Sequence, residues 1–143
     1  MKTITLYRPV GLKELELIHN TGWKYFPQRL SWQPIFYPVM NEVYAIEIAT
    51  KWNLDDEGSG YSGFVTTFDM NESFLKKYKV ENVGGPIHNE LWIPAEELEE
   101  FNENIVGEIR VTKTYFGQKY TSPENEELKR IIEKNENKYE TNK

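Results

Sequence analysis

Short strand and helix patterns follow one another along this chain without regular alternation, and this irregular order is the strongest constraint on its fold. Strand patterns occupy residues 4–8, 61–70 and 105–116, while apolar residues at helical spacing occupy 12–20 and 42–52. A doubly wound parallel sheet requires strands that alternate regularly with long helices. The sequence therefore predicts an α+β fold.

The remaining predicted elements are shorter. They are strands at 34–39, 80–83 and 87–93, and helices at 72–78 and 94–102. Residues 23–34, rich in aromatic residues and proline, have no clean periodicity and are predicted to form an ordered loop.

The helix predicted at 42–52 has a start signal in Asn41, which is a favourable N-cap residue followed by an acidic residue. Its spacing predicts that the buried face contains Val43, Ile46 and Trp52, together with either Ala45 or Ala49.

Length and composition predict one domain with a tail. The 143 residues include 14% aromatics, which is enough for one hydrophobic core and short for two domains. The composition changes after Tyr120, so the predicted boundaries are a domain at 1–120 and a polar tail at 121–143. The tail contains one short helical pattern, with Leu128, Ile131 and Ile132 available to dock on the domain or on a partner.

Composition also excludes several kinds of site. There is no cysteine and there are only two histidines, so neither a thiolate nor an all-histidine zinc site is possible, and no metal is expected. A net charge of −6 argues against binding to nucleic acid. Lysines and arginines exceed acidic residues by two over 1–51, whereas acidic residues exceed them by seven over 52–121. If a small anion binds, the N-terminal third is the part of the chain expected to receive it.

No apolar stretch has the length of a signal-peptide core or of a membrane span. The expectation is a cytoplasmic protein that does not contact a membrane.

Three polar residues on predicted strands are candidates for a site. Arg8 ends the first strand, Thr66 lies in a β-rich strand, and Glu90 lies between His88 and Trp92. Each also has a structural reading: Arg8 as a surface cation, Thr66 as a good strand former and Glu90 as a carboxylate on a solvated face or in an ion pair.

Read together, these residues resemble a known pattern. A strand ending in Arg, a helix, a central strand with a hydroxyl and a late strand with Glu resemble the ADP-ribosyltransferase-like fold, which has split antiparallel sheets with short flanking helices. The resemblance is carried by LYRPVGLKELELI, PIFYPV, SGFVTTF, HNELWIPAEELEEFN and IVGEIRV. Over about residues 4–115, these runs look like a family of short bacterial and phage proteins labelled "ADP-ribosylation/crystallin J1".

The resemblance implies a role for each candidate. Glu90 would be the catalytic carboxylate, which stabilises the positive charge that develops on the ribose when the bond to nicotinamide breaks. Arg8 would hold the phosphates or ribose of NAD, and Thr66 would support the central strand. Tyr37 and Tyr61 are candidates for stacking on the nicotinamide or adenine ring.

The same resemblance places His88 at the nucleotide site, where arginine-type transferases carry Glu or Gln. Residues 82–87 would lie where transferases recognise their target. NAD is thus the expected substrate or ligand, with a macromolecular acceptor or a protein as the expected partner.

Two functions stay open on this resemblance. One is an ADP-ribosyltransferase-like enzyme that transfers ADP-ribose from NAD to a macromolecule. The other is a non-catalytic module of the same fold that binds a nucleotide or a protein, for example in bacterial or phage conflict. A third reading makes Glu90 a purely structural residue.

Overall fold

The computed structural model describes residues 2–135, in which three long strands are accompanied by four shorter strands and five α-helices. The strands are β1 (Thr3–Val10), β2 (Ile35–Phe36), β3 (Ser62–Asn71), β4 (Val80–Asn82), β5 (Asn89–Leu91), β6 (Ile93–Pro94) and β7 (Ile105–Phe116). The α-helices are α1 (Leu12–Asn20), α2 (Glu42–Ile48), α3 (Glu72–Leu75), α4 (Leu98–Glu103) and α5 (Glu126–Lys134).

The three long strands form one antiparallel sheet in the order β1-β3-β7. The central strand β3 is buried on both faces from Ser62 to Phe68, which fits its run of aromatic and β-branched residues. Two smaller antiparallel pairs, β2-β6 and β4-β5, accompany this sheet. Several small antiparallel sheets with five α-helices in residues 2–135 confirm the α+β prediction.

Val39 joins the main sheet to the β4-β5 pair. Its backbone exchanges two hydrogen bonds with Tyr7 of β1, at 2.9 and 2.7 Å, and it forms a bridge with Glu90 of β5. A single extended residue therefore places β5 beside β1, and this contact brings the predicted Arg8 and Glu90 strands together.

Several predicted elements are shorter in the structure. The strand predicted at 34–39 is reduced to Ile35–Phe36 between two prolines, which cannot donate to a ladder. The strand predicted at 87–93 is interrupted at Trp92, because the chain leaves its pairing with β4 and Val39 and then pairs with β2. The predicted loop at 23–34 contains no helix or strand.

The predicted helix at 42–52 begins as expected, and its buried face matches the prediction only in part. Asn41 caps it by accepting a hydrogen bond from the Val43 amide at 2.8 Å, and the helix changes from α to π geometry at Ala49–Asn53. Val43 and Trp52 are 57% and 72% exposed, so the prediction that they are buried is wrong. Ala45 and Ala49, of which the prediction buried one, are both buried, and Ile46 is partly buried.

The last helix belongs to the core. Leu128 and Ile132 of α5 are each only 1% exposed and join the same apolar cluster as Leu6, Phe68 and Phe101. Docking of the predicted tail helix on the domain is therefore observed. Residues 136–143 of the predicted tail lie outside the described part of the chain.

Candidate functional site

A cleft of about 500 Å³ lies where β1 meets β5. Its lining residues are Arg8, Pro9, Tyr37, Val39, Ile48, Glu90 and Trp92. Three of the residues singled out from the sequence, Arg8, Tyr37 and Glu90, thus border one cavity. This volume falls within the range of small-molecule sites, about 300–1,000 Å³.

Glu90 is buried, with 9% of its surface exposed. Its backbone pairs with Glu81 of β4 on one side and bridges Val39 on the other. Each carboxylate oxygen accepts one hydrogen bond: Oε1 from the indole N–H of Trp92 at 2.7 Å, and Oε2 from the hydroxyl of Tyr44 at 2.9 Å. The two donors fix the orientation of the carboxylate at the wall of the cleft.

Tyr44 reaches Glu90 from helix α2. Burial and then the interaction with Glu90 raise the pKa of Tyr44 to about 12, because its ionised form would place a second negative charge beside the carboxylate. Tyr44 therefore stays a hydrogen-bond donor across the neutral pH range.

Arg8 is buried at the edge of the same cleft and already has a strong partner. Its Nε and Nη2 donate to the two carboxylate oxygens of Glu14, at 2.7 and 3.0 Å, in a bidentate pair. Its Nη1 donates a longer bond of 3.4 Å to the carbonyl of Tyr37. The guanidinium carbon lies 4.5 Å from the centroid of the Phe36 ring, which fits a cation–π contact.

Thr66 is fully buried directly opposite Arg8 in the β1-β3 register, and it does not line the cleft. Its hydroxyl donates to the carbonyl oxygen of Arg8 at 2.7 Å. This side-chain hydrogen bond reinforces the pairing of β1 with β3 at Arg8. Thr66 therefore contacts the backbone of Arg8.

His88 lies on the α2 side of Glu90 and also outside the cleft lining. Its Nδ1 accepts a hydrogen bond from the Gly85 amide at 2.8 Å, so Nε2 carries the proton of the neutral ring and donates to Glu47 at 3.2 Å. Hydrogen bonding to His88 is the main cause that lowers the pKa of the Glu47 carboxyl. His88 thus ties the loop at 82–87 to helix α2.

The two predicted stacking tyrosines are in different places. Tyr37 borders the cleft, 42% exposed, with its ring edge-on to Trp92 at 6.5 Å between centroids. Tyr61 lies five residues before Thr66, roughly 17 Å along an extended strand. Its hydroxyl lies 3.4 Å from the carboxylate of Glu57 and its ring lies under Lys119. The structure therefore does not bring Tyr61 to the cleft.

Sequence reasoning missed Glu14, Tyr44 and Glu47 and gave no role to Trp92. Two of them had a local signal. Trp92 is two residues after Glu90, which places both on one face of the strand predicted at 87–93, and Glu14 is an acidic residue in the first turn of the helix that follows Arg8. Tyr44 and Glu47 approach β5 through tertiary packing, which no local pattern reports.

Within residues 2–135, no three histidine or acidic side chains are grouped so that they could hold a metal ion. In the same residues no helix combines the length and apolar composition needed to cross a bilayer. No family model, curated protein or solved structure matches the chain.

Proposed function

We propose that the cleft binds NAD or another ADP-ribose-containing nucleotide, and that the protein transfers ADP-ribose to a macromolecule. The observation that carries the proposal is the placement of a buried carboxylate, Glu90, and a buried guanidinium, Arg8, on the border of one cleft with Tyr37 and Trp92. A dinucleotide offers phosphates, riboses and aromatic bases, and this cleft has a group suited to each.

In the proposed complex, the diphosphate binds at the Arg8 end of the cleft. A guanidinium has five N–H donors, of which Arg8 directs three at Glu14 and the Tyr37 carbonyl, so two remain for phosphate oxygens. The half-exposed rings of Tyr37 and Trp92 offer surfaces for stacking on nicotinamide or adenine.

In the same complex, the reacting ribose lies beside Glu90. Breaking the ribose–nicotinamide bond leaves positive charge on the ribose, and a fixed carboxylate stabilises it. Because Tyr44 and Trp92 each hold one oxygen of Glu90, the carboxylate is oriented before a ligand arrives. The products are nicotinamide, the modified acceptor and the proton that the acceptor releases.

The arrangement of the strands also supports an ADP-ribosyltransferase-like fold as the finer classification. Arg8 and Thr66 are register partners on β1 and β3, and the strand of Glu90 continues beside β1 through Val39. The cytoplasmic location and the bacterial or phage origin stay predictions.

A non-catalytic nucleotide- or protein-binding module of the same fold is the second candidate. It is favoured by the bidentate pair of Arg8 with Glu14, which leaves the guanidinium partly engaged before any ligand binds. His88, which stands where arginine-type transferases carry Glu or Gln, is bound to Gly85 and Glu47, so it contributes nothing to the cleft.

The test incubates the purified protein with NAD and a cell lysate, and follows nicotinamide release and labelled ADP-ribose on acceptors. We expect Glu90→Gln to lower the rate by roughly 10²–10³-fold, as for loss of one electrostatic stabiliser of a transition state. Glu108→Gln, which changes an exposed glutamate on β7, is the matched control and should keep the parent rate.

Turnover that persists in Glu90→Gln contradicts the assignment of the catalytic residue. Absence of turnover, combined with a thermal shift by NAD or ADP-ribose that Tyr37→Ala abolishes, favours the binding module. Absence of both turnover and shift overturns the nucleotide proposal.

A further inference from the structure

Two arginines contact the same buried aromatic ring. The guanidinium carbon of Arg8 lies 4.5 Å from the centroid of Phe36, and that of Arg29 lies 5.8 Å from the same centroid. Phe36 is fully buried, so both cations lie beside an apolar surface that offers them no hydrogen-bond acceptor. Arg29 belongs to the irregular segment between α1 and β2.

The carboxylate of Glu14 serves only one of these two arginines. Glu14 makes two short hydrogen bonds, and both go to Arg8. Among residues 2–135, Arg29 has no hydrogen bond and no ion pair, and its Nε is buried without a partner. Burial first, and then the neighbouring charge of Arg8, lower the pKa of Arg29, while Glu14 and Tyr37 act in the opposite direction.

An unpaired buried donor is unfavourable, and more so when it belongs to a charged group. The contact with Phe36 offsets part of this cost by cation–π attraction, but a ring face does not accept the in-plane N–H groups of the guanidinium. Two guanidiniums with one carboxylate also leave one net positive charge in a partly buried place. A bound anion with several oxygens would supply both the missing acceptor and the missing charge.

We propose that Arg29 and Arg8, beside the ring of Phe36, form a binding site for a phosphate-type oxyanion. A phosphate group is suited because its oxygens match the donor forks of two guanidiniums, whereas Glu14 already supplies the one carboxylate. Arg8 also borders the cleft, so the site adjoins the place assigned to the nucleotide. The phosphate is either free in solution or part of a nucleotide diphosphate, and only the second form rests on the proposed function.

The test titrates the whole protein with inorganic phosphate and with pyrophosphate by calorimetry at constant ionic strength. The parent protein should bind saturably, and Arg29→Met should lose about tenfold or more in affinity. Arg130→Met is the matched control, because Arg130 is an exposed arginine of α5 without an ion pair among the described residues, and it should bind like the parent.

Arg29→Met is expected to keep its fold, since it removes a cation that has no hydrogen-bond or ion-pair partner among residues 2–135, and the methionine side chain can still pack on Phe36. If it does not fold, Arg29→Lys provides the same test, because it keeps the charge but loses the fork and should bind more weakly than the parent. Equal affinity of the parent and the Arg29 variant, or no saturable binding by the parent, overturns the inference.

A second titration with ADP-ribose separates this inference from the nucleotide function. Phosphate binding that depends on Arg29, without any binding of NAD or ADP-ribose, supports the oxyanion site and contradicts the proposed function. Nucleotide binding that is unchanged in Arg29→Met overturns the form of this inference in which the bound phosphate belongs to a nucleotide diphosphate.

Discussion

Glu90 shows how the neighbours of a single residue define its chemistry. In the sequence it alternates with apolar residues along a strand, a pattern that is equally typical of a solvated face. In the structure it is buried, and its two oxygens accept hydrogen bonds from an indole two residues further along the chain and a phenol on helix α2. The pair of donors makes Glu90 a fixed negative charge beside a cleft.

The hydrogen bond from Tyr44 should be visible in the pH dependence of stability. Tyr44→Phe removes a donor to a carboxylate and should lower the free energy of unfolding by about 1–2 kcal/mol at pH 7. The pKa of Tyr44 is raised to about 12 in the folded protein. The folded state therefore favours the neutral phenol, so this stabilisation is complete below the unfolded pKa of about 10 and is lost as pH rises from there to about 12.

Urea unfolding of the parent and of Tyr44→Phe at pH 7, 9, 10.5 and 11.5 measures the gap between them. The gap should be constant to pH 9 and then close. Tyr25→Phe, which changes an exposed tyrosine, serves as the control and should differ little from the parent. A gap that does not narrow at high pH contradicts the link between Tyr44 and Glu90.

At the scale of elements, the position of Tyr44 depends on how closely α2 and its π-helical end approach β3. A Cβ atom built on Gly63 of β3 would lie 2.6 Å from the carbonyl oxygen of Ala49 and 2.8 Å from its Cβ. Ala45 and Ala49 are the buried residues of this segment. Small side chains on both elements therefore permit a contact that larger ones would prevent.

Gly63→Ala should accordingly destabilise the protein by about 1–3 kcal/mol or more, because the new methyl group meets backbone atoms that cannot rotate away. It should also weaken any ligand response of the cleft, since α2 carries Tyr44. Gly58→Ala is the control: its nearest atom would be the Asp56 carboxylate at 3.5 Å, an ordinary contact. Thermal or urea unfolding of both variants measures the difference, and equal stability would contradict the close approach.

The length and consistency of a sequence pattern decide which elements could be predicted. The strands at 61–70 and 105–116 and the helix at 12–20 were predicted nearly at their observed bounds, because each carries a long and consistent pattern. The buried face of α2 was predicted wrongly at Val43 and Trp52, since spacing alone favours large apolar residues. Close packing on Gly63 instead selects the alanines.

The candidate site, like the secondary structure, was predictable only in part. Arg8, Tyr37 and Glu90 border one cleft, but the sequence contains no information on how Val39 joins the strands of Arg8 and Glu90. Tyr61 was proposed for ring stacking from its residue type alone. It lies just before β3, beside Glu57, and does not reach the cleft. No sequence pattern singled out Arg29 as a binding residue. Its proposed role follows from a buried Nε that has no hydrogen-bond acceptor among the described residues, which only the folded structure shows.

At the scale of the whole molecule, the core crosses the boundary predicted at residue 120. Helix α5 packs on β7, its Leu128 and Ile132 belong to the main apolar cluster, and His19 of α1 contacts Glu127 at 3.0 Å. Burying two large aliphatic side chains stabilises a small domain substantially, since truncating one such residue costs about 2–5 kcal/mol. The last helix is therefore expected to be part of the folding unit.

A chain ending at Tyr120 should then be less stable than a chain ending at Asn135 by at least about 4 kcal/mol, or should fail to fold. The comparison of these two chains isolates α5 with its connection, because both lack residues 136–143. Urea unfolding followed by tryptophan fluorescence and by circular dichroism should give one coincident transition for the longer chain, as expected when α5 shares the core. Equal midpoints for the two chains would instead show that residues 1–120 fold independently and that α5 is a tail docked on a complete domain.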